Sequence, residues 1–322
     1  MFDAKKVAAE APAPRSTVVL GMGGTIAGRA AAASDTVGYV AGQVPVAELL
    51  LGLGSDPLPP LLSEQVAQID SKDMGHAHWQ ALAQRCTHWL AQDEVCSVVI
   101  THGTDTLEET AWFLQQVLQT HKPVVLTCAM RPATAVLQDG PQNLLDAVTV
   151  SRDPQARGVL VVAAGTVHSP AHVQKEHPYR LDALSSGPSG PLAWVESGRL
   201  RWSSLPNPNQ PHAHAATALS RPVEQWPWVA VVSSHAGVDP RQIDAWVSAG
   251  VQGLVVAGTG NGTLHTGLLS ALQTAAQAGV ALRLCTRCAH GPIVGETTAI
   301  TCAPRELNAF KARVSLMLDL MV

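Results

Sequence analysis

The sequence predicts an α/β protein with two domains: a larger N-terminal, doubly wound, mostly parallel sheet and a smaller C-terminal parallel-sheet domain. Three observations predict it. Short, continuous apolar runs rich in β-branched residues alternate with longer stretches of helical spacing, the pattern of parallel strands covered on both faces. The length of 322 residues favours about two domains. Residues 203–220, SSLPNPNQPHAHAATALS, break the rhythm with proline, asparagine and histidine and read as a linker.

The elements follow in order. Residues 17–20 form a β-branched strand that ends at Gly21, with Gly23 and Gly24 just beyond. Residues 95–100 form the next strand, followed by the polar turn 101–106. Residues 108–119 read as a helix with Glu108 and Glu109 in its first turn, where the helix dipole favours acids. Lys122-Pro123 restarts the chain into a strand at 124–127; residues 143–150 have helical spacing, and 158–163 form a valine-rich strand. After the linker come a strand at 229–232, a helix at 241–248, a strand at 254–257, a helix at 268–278, a strand at 280–285 and a C-terminal helix at 307–320. The expected domains are 1–205 and 221–322, joined by 206–220. Ligands of open parallel sheets bind beyond the carboxyl ends of the strands. The loops after Leu20, Ile100, Thr127, Ala163, Val232 and Ala257 are therefore the ones to search.

Composition excludes several classes. Apolar residues make up 46% and charged residues 14%, the latter well below the ~25% of an ordinary soluble domain, which excludes a disordered chain. With 21 basic and 25 acidic residues there is no basic stripe for nucleic acid. So little charge leaves apolar surface that a homo-oligomer would cover. No apolar run reaches the ~18 residues of a membrane span. The first residues hold Lys5 and Lys6 but no apolar stretch after them, so no secretory leader is expected. The six cysteines are scattered and do not form a disulfide framework. Cys285-x-x-Cys288 lies near His290, but no second pair has finger-like spacing, so no metal and no other cofactor is expected.

Common nucleotide and nucleophile signatures fail. Gly21-x-Gly23 lacks its third glycine because Ile26 stands there, and Gly258-x-Gly260 fails at Thr263. No P-loop, G-x-S-x-G or S-x-x-K occurs. What remains at the strand ends is mostly threonine. Gly23-Gly24-Thr25-Ile26-Ala27-Gly28 is a turn whose glycines leave backbone N–H groups open to a ligand. Thr101-His102-Gly103-Thr104-Asp105-Thr106 joins a buried strand to a helix start and is richer in polar groups than a helix cap requires.

Together with downstream blocks these loops resemble the bacterial-type L-asparaginase family. The blocks are GGTIAG at 23–28, SKDM at 71–74, ITHGTDTLEETAWFL at 100–114, KPVVLTCAMRP at 122–132, DGPQNLLDAV at 139–148, RGVLVV at 157–162 and GNGTL at 260–264. They follow the family's order over nearly the whole chain, and GGTIAG and HGTDT are its two signatures. The resemblance implies an amidohydrolase converting L-asparagine to L-aspartate and ammonia. It implies Thr25 as nucleophile, and Thr104, Asp105 and Lys175 as a second catalytic set. It places substrate at Ser71, Lys72, Gly24 and Gly103, with Asp105 receiving the α-ammonium. It implies a flexible-loop tyrosine whose position falls on Asp35, with Tyr39 nearby to supply the hydroxyl. From the smaller domain it implies Asn261 and Glu296, reaching the site of a neighbouring subunit in a homotetramer of two intimate dimers. The disulfide of secreted relatives would fall on Gln92 and Thr120, which points to the cytoplasm. His102 reads as a packing and hydrogen-bonding residue of its loop.

The residue types suit the chemistry. A threonine hydroxyl needs a base, and the oxyanion of a tetrahedral intermediate needs fixed donors, which the glycine-flanked N–H groups of both loops offer. Burial favours a neutral Lys175 amine while Asp105 favours the ammonium. Two roles therefore stay open for Lys175: activating Thr104 or polarising a water. Glutamine is an alternative substrate, since one methylene separates the amides by only ~1–3 kcal/mol. The amidotransferase subunit related to this family carries an extra N-terminal domain, for which the 16 residues before the first strand leave no room. A non-catalytic amino-acid-binding protein is the alternative from a different class; it would need no pair of threonine loops.

Overall fold

A computed structural model describes residues 15–53, 59–207, 210–295, 300–304 and 307–322. The main sheet begins with β1 (Ser16–Gly23), which lies parallel between β2 (Leu61–Ile69) and β3 (Val95–Thr101). β4 (Val124–Thr127) and β5 (Val159–Ala163) continue in parallel, so the spatial order of this part is 2-1-3-4-5. The sequence reading has no β2, and the reason is physical. β2 is an edge strand whose residues are half-buried or exposed, without the continuous apolar run of its neighbours.

Three short antiparallel strands then extend the opposite edge. β6 (Thr166–His168) folds back on β5, while β7 (Gln174–Lys175) and β8 (Leu184–Ser185) pair with each other outside the sheet. β9 (Ala193–Glu196) joins β6, and β10 (Arg199–Trp202) closes the eight-stranded order β10-β9-β6-β5-β4-β3-β1-β2. Both tight hairpins have two-residue turns with positive φ, Ala164 and Gly165 at 49° and 69°, Ser197 and Gly198 at 50° and 72°. That turn geometry matches the twist of the strands it joins.

Alternate strand residues serve two cores, because successive side chains point to opposite faces. Val18, Leu20, Val98, Ile100 and Leu126 meet the face covered by α2 (His76–Leu90) and α3 (Leu107–Val117). Val19, Val99, Val125 and Leu160 meet α4 (Gly140–Ser151) and the shorter α1 (Val46–Leu51). All nine are fully buried, each contributing roughly 1.5–3 kcal/mol.

Within residues 206–220, expected as a linker, α5 (Ala215–Ser220) packs on α2 and α3. Beyond it β11 (Val229–Ser233), β12 (Gly253–Gly258) and β13 (Ala281–Thr286) form a three-stranded parallel sheet. α6 (Arg241–Ser248) and α7 (Thr266–Gln277) cover one of its faces through Ile243, Leu268 and Leu272. The last helix, α8 (Ala309–Asp319), covers the other and packs on α3, so Met317 and Leu318 share one core with Phe113 and Leu114. Trp112 Nε1 donates to Ser315 Oγ at 2.9 Å across the same contact.

Among the described residues no helix is long and apolar enough to cross a membrane. All six cysteines are free. Gln92 and Thr120 are joined through Lys122: its ammonium donates to the carbonyls of Leu90 (2.8 Å) and Gln92 (2.6 Å), and its backbone N–H donates to Thr120 Oγ1 (2.9 Å).

Candidate active site

In the order 2-1-3-4-5 the connections change direction between β1 and β3, which opens a crevice at their carboxyl ends. Both threonine loops leave the sheet at that crevice. The loop after β1 turns at Gly24 (φ 79°) into a single 3₁₀ turn, Thr25–Ala27. A Cβ on Gly24 would overlap the Cα and N of Gly103, and a Cβ on Gly103 would overlap Ser71 Oγ. The loops therefore touch backbone to backbone, and both positions require glycine.

Thr25 is buried, with Oγ1 2.6 Å from Tyr39 Oη. A backbone bridge fixes Tyr39: Arg29 and Val40 exchange two hydrogen bonds of 2.9 and 3.0 Å. Asp35, where the family's tyrosine aligns, turns back on its own loop and accepts from the N–H groups of Val37 and Gly38. These bonds hold its carboxyl below the ordinary carboxylate value.

Thr104 is also buried, and Lys175 Nζ donates to its Oγ1 at 2.8 Å. The same ammonium reaches Asp105 Oδ1 at 2.5 Å. Asp105 is half-exposed at its side chain, and its Oδ2 makes no bond among the described residues. Thr25 is thus paired with Tyr39 and Thr104 with Lys175, each threonine on a loop that leaves the sheet at the crevice. The backbone N–H groups of Thr25 and Thr104 donate to nothing among the described residues.

Ser71 is almost wholly buried in the turn Ser71–Asp73; its Oγ accepts from Asp105 N–H at 3.2 Å and its carbonyl accepts from Thr106 Oγ1 at 2.8 Å. Lys72 points to the exposed side, where Asp70 (2.8 Å) and Asp73 (3.2 Å) hold its ammonium and raise it above the ordinary lysine value. Asn261 lies in the smaller domain and is clasped to Val294, donating to its carbonyl at 2.8 Å and accepting from its N–H at 2.7 Å. Glu296 lies outside the described residues.

His102 is fully buried, and burial pushes it down to about 4, so it is neutral. Its Nδ1 lies 2.7 Å from Gly103 O, and because a carbonyl only accepts, the ring proton sits on Nδ1. In a trans peptide the C=O and the next N–H point in opposite directions. Anchoring the Gly103 carbonyl inward thus turns the Thr104 N–H outward. Among the described residues no cluster of His, Cys, Asp and Glu is arranged to hold a metal ion.

The sequence reading did not find Glu108, Asn308 and Lys311. Glu108 is buried beside the site: its Oε2 accepts from Lys175 N–H at 2.8 Å and its Oε1 from Asn308 Nδ2 at 2.6 Å. An acid in the first turn of a helix looks like a dipole partner in solvent, and no local signal distinguishes the two.

Comparison with known proteins points to one family. The family model described as "Asparaginase, N-terminal" matches residues 16–207, and the "Glutaminase/Asparaginase C-terminal domain" matches residues 228–321. L-asparaginase 2 of Escherichia coli is 34% identical over 310 residues, which cover 94% of this chain and 88% of the relative. A glutaminase-asparaginase of Pseudomonas fluorescens is 35% identical over 268 residues, 82% and 73% of the two chains. The crystal structure of a probable cytoplasmic L-asparaginase from Campylobacter jejuni superposes with a TM-score of 0.85 at 32% identity, covering 95% of both chains.

Proposed function

This chain belongs to the asparaginase/glutaminase family, and from that premise we propose that it hydrolyses L-asparagine to L-aspartate and ammonia with Thr25 as the nucleophile. The observation that carries the reading is the pair of buried threonine hydroxyls at one crevice, each with a separate proton-handling partner. Thr25 Oγ1 attacks the side-chain amide carbon as its proton leaves along the hydrogen bond to Tyr39. The oxyanion forms against the uncommitted N–H groups of Thr25 and Thr104, the second turned outward by His102. Collapse of the intermediate breaks the C–N bond as the nitrogen takes the proton that left Thr25, relayed through the Tyr39 hydroxyl, and ammonia departs. A water held by Thr104 and Lys175 then attacks the Thr25 ester, restoring the hydroxyl and releasing aspartate.

Substrate is held at its far end. Asp105 Oδ2 receives the α-ammonium, and Ser71 Oγ, which accepts from Asp105 N–H, keeps its own hydrogen for the α-carboxylate. Backbone at Gly24 and Gly103 lines the crevice. Lys72, Asn261 and Glu296 act at its periphery, the last two from a neighbouring subunit in a tetramer of two dimers. The residues form two functional units, 1–205 and 221–322, joined by 206–220. The free thiols support a cytoplasmic location. Glutamine is the second reading, favoured by the similarity to a glutaminase-asparaginase.

Ammonia release by the purified protein from both amides at low concentration tests the proposal. Release from asparagine, lost in Thr25→Ala, is expected. No release from asparagine or glutamine would leave an amino-acid-binding protein. Thr104→Val should trap a mass increment on Thr25 after incubation with asparagine, and an increment on another residue would move the nucleophile.

A further inference from the structure

Lys175 sits on an unusual support. β7 is two residues long and pairs only with the equally short β8, apart from both larger sheets. A ribbon of that size does not hold its own position. Yet Lys175 must keep its ammonium within hydrogen-bond reach of Thr104 and Asp105 at once.

The residues that hold it come from helices. Glu108, in the first turn of α3, receives the Lys175 backbone N–H on one oxygen and the Asn308 amide on the other. Asn308 is the N-cap of α8, and its Oδ1 accepts from Lys311 N–H at 3.1 Å. Lys311, one of the largest fully buried side chains, donates Nζ to the carbonyls of Ala171 (2.9 Å) and Val173 (2.5 Å). The segment 171–175 is thus gripped by its carbonyls from Lys311 and by its N–H from Glu108. Burial pushes Lys311 down to about 8, against the opposing pull of Glu108. Burying both a carboxylate and an ammonium is costly, and apolar side chains would fill the same space more cheaply. What apolar side chains cannot do is orient a main chain.

We propose that Glu108, Asn308 and Lys311 are positioning residues that clamp the main chain of Lys175, so that α8 sets the reacting geometry of the threonine site within the same chain. The proposal rests on the reading of Lys175 as part of the catalytic machinery. Glu108→Gln and Lys311→Met are expected to lower kcat for asparagine roughly tenfold or more while KM changes less than about twofold, measured well below each variant's melting temperature. Asn308→Ala, the mildest change, should follow in the same direction and serves where a buried variant does not fold.

Lys175→Met separates the two readings. If it keeps full kcat, the role of Lys175 fails whatever the clamp variants do. If it abolishes kcat and the clamp variants melt lower with unchanged kcat, the clamp fails alone and these residues only stabilise the fold. Combining Glu108→Gln with Lys175→Met gives the sharpest reading, because residues acting through one another are non-additive. No further loss of residual kcat is expected in the double variant. Losses that multiply would overturn the proposal.

Discussion

Two glycines decide how near the threonine loops can lie. Gly103→Ala places a methyl group into Ser71 Oγ and the Cα of Gly24, so backbone must move. The expected cost is roughly 1–3 kcal/mol of stability, with a larger proportional loss of kcat, read by thermal denaturation and steady-state kinetics. A variant as active as the parent would mean that the loops are looser than their contact implies. Asp105→Asn keeps the shape of its loop but removes the negative charge proposed to receive the α-ammonium. KM for asparagine should rise as kcat falls, and an unchanged KM would confine Asp105 to serving Lys175. Thr104 and Asp105 were legible in sequence, since they stand in a run more polar than a helix cap needs, whereas Thr25 after two glycines reads locally as a turn and stands out only through the family resemblance. Tyr39 was reachable only as a neighbour of Asp35, because loop length between two fixed points is not written in any local pattern. Glu108 and Lys311 were illegible: a lone charge on a helix looks solvated until the tertiary contact that buries it is known.

At the scale of elements, the central strands announced themselves because burial on both faces makes them predominantly apolar, with only a few small polar residues such as Thr17 and Ser97 among them. β2, β6, β9 and β10 did not, being short or at an edge. The opposite ends of the sheet also divide their work. Lys122 ties the start of β4 to the end of α2 through the carbonyls of Leu90 and Gln92, at the amino ends of the strands and away from the crevice. Lys122→Met removes both of these bonds and should lower stability by about 1–3 kcal/mol in urea unfolding while leaving kcat and KM as they were. A fall in kcat at full folding would show the two ends of the sheet to be coupled.

Over the whole molecule, three histidines make the fold acid-sensitive. Burial holds His102 and His168 at about 4, and burial together with Arg313 does the same for His76. In the unfolded chain each takes a proton near 6.5. Between about 6.5 and about 4 the unfolded state therefore binds more protons, and stability falls as pH drops through that window. Each histidine contributes on the order of 3 kcal/mol to the loss by its lower limit. Melting temperatures recorded from pH 7 to 4.5 should decline steadily, and His168→Gln should flatten the decline; a level profile would mean that the native histidines protonate freely. The second molecular property is assembly. With 14% charged residues and a smaller domain that carries Asn261, the expected active form is an oligomer. Sedimentation and activity followed over one dilution series should fall together, whereas a fully active monomer would remove Asn261 and Glu296 from the site.

The place of α8 also orders events in time. Lys311 and the carbonyl of Val173 are 138 positions apart in sequence. A ribosome adds about 5–20 residues per second, so the partners emerge on the order of ten seconds apart. Throughout that interval the nascent larger domain holds Glu108 without Asn308 and the 171–175 segment without its ammonium. With Lys175 clamped only once α8 docks, as proposed, the nascent larger domain is expected to work at no more than the reduced rate of the clamp variants until then.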